Sequence, residues 1–544
     1  MLRRLLRPAV GIAIVVVGIT TAVLGGSAST AWAHAGLVSS TPFANSVLEA
    51  APPEIVLEFD ESIEVGLTSI ALYDGATKPI SLGAPAVGRD DSIVRASVPE
   101  IDDGTYAVIW RVTSADGHVV DGAFSFQVGI GASGNGQDLI DQVNNGVQAD
   151  PAVRWWYGVA RFFSVAGAIL LIGAGWWLSQ CSAELARRRA VRRLMMVAWP
   201  ALLAGSAAAF GLFGAQAVAG TLGDAVSTSV WADVATTNTG RMLLLRVALA
   251  CVLGVLLALR RHRREGWWSG AAAAAAVLTL FSFSASGHPN ALDPAALWIT
   301  LDLAHLAAIA AWIGGLFIVT LSGREFLAAS DGARLAQRFS LASSIAVPVI
   351  IVTGVVQTLK LAGGLDDVTA TDWGRLLLVK VTIVAAAAAL AGVSRWLLHH
   401  DGAASIRRTL AAEAVFGLVA IGLAAGMVAL PPTPPISARA FAEQLSANGL
   451  IAAVSLSPGR VGVNELHIVI TPVGGSIVPV ASAIARVELV DQGVPRSPVN
   501  LLRDGPNHYS GRVAFPRSGD WTFELVVQIT DTESVLLTTT IPIP

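Results

Sequence analysis

Three side chains in the first 120 residues combine metal-ligand chemistry with informative positions: His34, Asp116 and His118. His34 follows Ala31-Trp32-Ala33, a small-x-small pattern, which closes a leader of Arg3, Arg4 and Arg7 followed by the apolar stretch Ala9 to Leu24. This order reads as a signal peptide over 1–33, the alternative being a retained anchor helix. Cleavage after Ala33 makes His34 the mature amino terminus, where the α-amine and a ring nitrogen chelate one metal. Asp116-Gly117-His118 offers the nitrogen and hard-oxygen donors that would complete the set. In an extended segment residues two apart point the same way, so that carboxylate and imidazole converge. Two imidazoles, an amine and a carboxylate in a near-planar set favour Cu(II) over the other divalent first-row metals. The plainer reading of Asp-Gly is a turn that leaves His118 on the surface.

A second group falls in or beside an apolar run. Asp302, His305 and Trp312 share a helical face at spacings of three and seven, and His288 lies in the loop just before them. Polar side chains within a membrane span are expensive and usually functional, so His288, Asp302 and His305 form a candidate copper path. The alternative is that Asp302 and His305 pair with Arg246 or Lys380 to hold a helix bundle together. Facing membrane histidines for a b-type haem are not evident. Glu413, at the start of the last apolar run, reads as interfacial. His467 and His508 lack metal-ligand spacing and read as ordinary surface or strand residues.

The elements that must position these residues follow from composition and pattern. The chain has 544 residues, 53% hydrophobic and only 14% charged, far from a soluble average. A net charge of −3 gives no sign of a nucleic-acid partner. Cys181 and Cys251 cannot build a disulfide framework or a thiolate cluster. Residues 34–130 hold short alternating runs such as Thr105 to Trp110 and Ala123 to Val128, punctuated by Asp74-Gly75 and Asp103-Gly104. This pattern predicts a β-sandwich or barrel, followed by a polar linker over 131–154.

Eight apolar runs fill 155–431: 156–180, 195–219, 241–259, 267–286, 298–321, 341–361, 375–398 and 411–431. Each is close to the ~20 residues that cross a bilayer. Arginines follow every odd run (Arg187, Arg260, Arg324 and Arg407 among them), whereas the other loops carry Asp224, Asp233, Asp293 and Asp366. Basic loops lie inside, so both termini face outward from the cell membrane. Gly240-Arg241 and Gly374-Arg375 each precede a cation by five residues, Arg246 and Lys380, as expected of two duplicated four-helix halves. After Pro431-Pro432-Thr433-Pro434-Pro435, strand patterns return and predict a C-terminal β-sandwich over 432–544.

The stretches His34 to Pro42 and Ser114 to Gly122 resemble the two signatures of the bacterial copper-resistance protein CopC. Leu301 to His305, Ala311 to Leu316, Arg338-Phe339-Ser340 and Trp373 to Leu377 are similar to its membrane partner CopD. The tail resembles, less specifically, YtkA-like extracytoplasmic domains. The eight apolar runs predict an eight-helix transmembrane bundle, and the resemblance implies a cupredoxin-like Greek-key N-terminal domain, a role in copper uptake or tolerance and Cu(II) ligation by His34, Asp116 and His118. Some CopC proteins carry a methionine-rich Cu(I) site. Here Met1, Met195, Met196, Met242 and Met427 all fall outside the mature β-domains, so the N-terminal domain should bind Cu(II) only. The expected function is capture of Cu(II) outside the cell and its import through the lipid bilayer, without enzymatic activity. Membrane-anchored sequestration is one alternative. A histidine-brace copper oxidase is another, disfavoured because Asp116 would fill the position that oxygen needs.

Overall fold

The computed structural model describes residues 36–544 except 43, 45, 49, 60, 89–90, 115, 130–135, 145–148, 182, 260–265, 362–367, 369–370, 401–405, 428–429, 431–440, 458, 460, 472–478, 531 and 544. The expected signal peptide and His34 therefore lie outside the described residues. The chain forms two compact units. One holds the helices, Ala149–Pro434, together with Ala115–His118; the other holds the strands of Ala35–Ser114, Val119–Gln148 and Pro435–Pro544.

In the strand unit, β1 to β9 are Leu37–Thr41, Val47–Leu48, Glu54–Phe59, Ile63–Tyr73, Pro79–Ile80, Ala86–Val87, Ile93–Ser97, Gly104–Ser114 and Val119–Val128. They make two sheets, ordered β1-β3-β7-β6 and β2-β9-β8-β4-β5. Alternation explains the sandwich. Ile55, Leu57 and Phe59 of β3 face inward and meet Trp110 of β8 and Phe126 of β9 in one core. Phe59 and Trp110 pack edge to face with centroids 5.2 Å apart. The expected linker is not featureless: α1 (Gly136–Asn144) covers Ala107 and Ile109 with Leu139, Ile140 and Val143, an apolar stripe hidden in a polar segment.

Strands β10 to β18 (Phe441–Ala447, Leu450–Ser457, Gly462–Thr471, Ser482–Leu489, Val494–Val499, Leu501–Gly505, His508–Phe515, Gly519–Gln528 and Ser534–Ile543) form the C-terminal sandwich. Its sheets run β10-β11-β12-β16-β15 and β14-β13-β17-β18. Leu466, Ile468 and Phe515 from one sheet and Trp521, Phe523 and Leu537 from the other share its core.

The helical unit begins with α2 (Pro151–Ser179), α3 (Ala183–Arg187), α4 (Arg189–Ala217), α5 (Thr228–Thr236), α6 (Asn238–Leu259) and α7 (Gly266–Ser284). It continues with α8 (His288–Ala291), α9 (Ala295–Leu321), α10 (Arg324–Ala328), α11 (Ser330–Leu361), α12 (Asp372–His400) and α13 (Arg407–Met427). Among the described residues seven helices are long and apolar enough to cross a membrane. The eighth expected span is α7, whose apolar part Trp268–Ser284 is shorter.

The duplication expected from the sequence extends into detail. In each half a long helix (α2, α9) is followed by a five-residue helix (α3, α10) and then by a long helix with an internal proline, Pro200 or Pro348. The Gly-Arg pairs start α6 and α12 in the same way. The Thr237 hydroxyl accepts the Gly240 N–H at 3.0 Å, and the Thr371 hydroxyl accepts the Gly374 N–H at 3.0 Å. Each glycine lies against a backbone carbonyl six residues earlier, Val234 or Val368, where any Cβ would collide.

Candidate metal centre

Asp116, Gly117 and His118 form the turn between β8 and β9, whose ladder closes at Thr113 opposite Val119. Asp116 Oδ1 accepts the His118 N–H at 2.9 Å, the side-chain-to-backbone bond by which an aspartate mimics a turn. Gly117 has φ +83°, and a Cβ there would run into the Thr239 side chain near the start of α6. The segment is therefore a tight turn rather than the extended stretch expected. Carboxylate and imidazole nevertheless converge: Asp116 Oδ2 lies 2.7 Å from His118 Nδ1. The turn also does not leave His118 on the surface, because its side chain retains only 13% exposure.

A third donor arrives from the helices. The sequence places His288 on a membrane path, but its Nε2 lies 3.9 Å from Asp116 Oδ2. The His118 and His288 rings stand with centroids 4.8 Å apart. One ligand atom from each of Asp116, His118 and His288 fits within 4.8 Å of the others, the spacing of a metal site. Asp116 is 2% exposed and His288 8%. His288 opens α8, directly beyond α7, and α7 is tied to α6. The Asn238 amide donates to the Ala285 carbonyl at 2.8 Å. Arg246 donates to the Ser282 carbonyl at 2.8 Å and to its hydroxyl at 3.0 Å, with its guanidinium 3.5 Å from the Phe283 ring centre.

Deeper in the helices, Asp302 accepts from Ser284 at 2.6 Å and from Gln357 at 3.3 Å, and it interacts electrostatically with Lys380. Arg246 bonds Ser282 and Ser286, and Lys380 and Asp302 attract one another. His305 Nδ1 lies 2.7 Å from the Thr353 hydroxyl, which itself donates to the Val349 carbonyl at 2.6 Å. With that proton committed, the Thr353 oxygen accepts, Nδ1 carries the ring proton, and Nε2 keeps a lone pair for a ligand. The serine, threonine and glutamine in this network carry no spacing signal in the sequence.

Two further readings change. Glu413 is buried among the helices, and Ser394 donates to it at 2.5 Å, so it has a partner within the protein. His467 and His508 do lie on strands but are 4% and 5% exposed. Burial, and then the neighbouring His508, lowers His467 to about 4. Burial raises Glu465 beside them to about 8.

Comparison with known proteins divides the chain along the same lines. Residues 37–129 match the CopC domain, 150–296 the copper resistance protein D-like N-terminal domain, and 333–427 copper resistance protein D. Over 481 residues the chain is 26% identical to the copper transport protein CutJ of Bacillus subtilis, covering 82% of this chain and 83% of that protein. It is 35% identical to copper resistance protein C of Escherichia coli over 118 residues, 20% of this chain and 93% of the relative. The crystal structure of CopC from Methylosinus trichosporium OB3b aligns over 19% of this chain and all of that one, at 30% identity and a TM-score of 0.18. With both domains in one polypeptide and seven membrane-length helices among the described residues, this multi-pass membrane chain belongs to the CopC–CopD copper-resistance family.

Proposed function

We propose that the protein captures Cu(II) outside the cell and passes it to the transmembrane helices for import, as a carrier and not an enzyme. The observation that carries this reading is the meeting of His288 with Asp116 and His118. Capture ligands from the CopC signature and a histidine at the head of α8 share one group, so an ion held there is already bonded to the membrane domain. His34, expected at the mature amino terminus, adds an amine and a third imidazole. Imidazole and carboxylate donors without sulfur favour Cu(II) over Cu(I).

From His288 the route inward follows α9. Asp302 lies seven residues beyond its first residue, about 10 Å along the axis. Its carboxylate attracts the cation, and His305, one turn further, offers the Nε2 lone pair. The arginine-rich loops after the odd spans support an orientation with both β-domains outside. The deciding experiment is uptake of copper by vesicles of known orientation containing the purified chain. Inward movement that depends on Asp116 and His118 supports import. Binding without movement would leave a membrane-anchored sequestration protein.

A further inference from the structure

The only histidines after His400 are His467 and His508, and the fold brings them together. Along β12, Leu466 and Ile468 enter the sandwich core, so Glu465, His467 and Val469 occupy the opposite face. Along β16, Tyr509, Val513 and Phe515 enter the core and His508, Ser510 and Arg512 face the other way. The register sets Val469 against His508 and His467 against Ser510, so the two imidazoles are diagonal neighbours on one face. Their ring centroids are 5.9 Å apart. A sheet face turned from its own core is usually wet, yet His467, His508 and Glu465 are all buried.

We propose that His467 and His508 form a second copper site, in the C-terminal sandwich, with Glu465 as the neighbouring carboxylate. With metal–imidazole bonds of about 2.0 Å, each ring centre sits roughly 3.2 Å from the ion, so a 5.9 Å separation suits one ion shared by both rings. Glu465 accepts the Ser40 N–H and has Arg512 and Glu58 as charged neighbours. The sandwich contains neither methionine nor cysteine, so the donors are imidazole nitrogen and carboxylate oxygen. Among divalent first-row ions such a set binds Cu(II) most tightly. The choice of copper rests on the function proposed above; the convergence of the two rings does not.

The test titrates the full chain in detergent with copper(II) chloride against a competing chelator. The native chain should hold two equivalents. The H467Q/H508Q chain should lose one, and the Asp116→Ala/His118→Ala chain should lose the other. Two equivalents retained by a folded H467Q/H508Q chain, with its thermal unfolding unchanged, would overturn the second site. Preference for zinc over copper at that site would overturn its metal. A failure confined to the Asp116→Ala/His118→Ala chain would count against the proposed capture group alone. A second measurement leaves the sandwich intact: a chain carrying His34→Ala, His118→Ala and His288→Ala should retain one Cu(II) with couplings from two imidazole nitrogens in pulsed EPR. Their absence would overturn the proposal without any change in the C-terminal domain.

Discussion

His288 Nε2 lies 3.9 Å from Asp116 Oδ2, and the same oxygen lies 2.7 Å from His118 Nδ1. One carboxylate oxygen thus stands between an imidazole of the CopC signature and an imidazole that opens α8. This shared oxygen makes the transfer reading testable at single residues.

His288→Ala should weaken Cu(II) binding by the full chain by at least the roughly 10- to 100-fold that follows loss of a group supporting a metal ligand, because His288 is itself a donor. Competition titration measures it. Asp116→Asn should have an effect of the same order, because it leaves the size intact but removes the charge that both rings approach. An unchanged affinity in His288→Ala would detach the helices from capture.

Gly117→Ala tests the turn. A φ of +83° costs an L-residue roughly 1–2 kcal/mol, and the added methyl meets Thr239 as well. Thermal unfolding should show the loss of stability, and Cu(II) affinity should fall with it. The Gly117→Ala/Thr239→Ala double variant should recover only the steric part, since the backbone strain remains.

Thr353→Val retains branching at Cβ but removes the oxygen that accepts from His305 Nδ1. Without that acceptor the ring is free to change tautomer, and Nε2 is no longer held as a ligand. Copper accumulation in cells should drop by about tenfold, on the scale of lost second-layer contacts, while Cu(II) capture stays normal. Thr353→Ser should restore accumulation. Normal accumulation in a correctly inserted Thr353→Val chain would move the path away from His305.

The count of spans predicts that both termini share one side. A reporter active only outside the cytoplasm, fused after Pro544, should be active in cells. An inactive reporter on a stable fusion would mean that α7, whose apolar part Trp268–Ser284 is short for a span, does not cross.

Much of the architecture was legible because it depends on local periodicity. Alternation in Glu54–Phe59, apolar runs of membrane length and the Gly-Arg repeats each act over a few residues, and each reappears in the structure. The convergence of Asp116 and His118 was legible from a carboxylate and an imidazole two residues apart, although a tight turn and not the expected extended stretch brings them together. Contacts between distant segments have no such signature. His288 reads in the sequence as a loop histidine ahead of a span, and only the packing of α6, α7 and α8 carries it to Asp116. Thr353 is one hydroxyl among many until α11 places it against His305. His467 and His508 look unrelated because their separation reflects no repeat; the register between β12 and β16 makes them neighbours. Hydrophobic period and turn chemistry are properties of a short stretch of chain, whereas ligand geometry across elements is decided only when those elements pack.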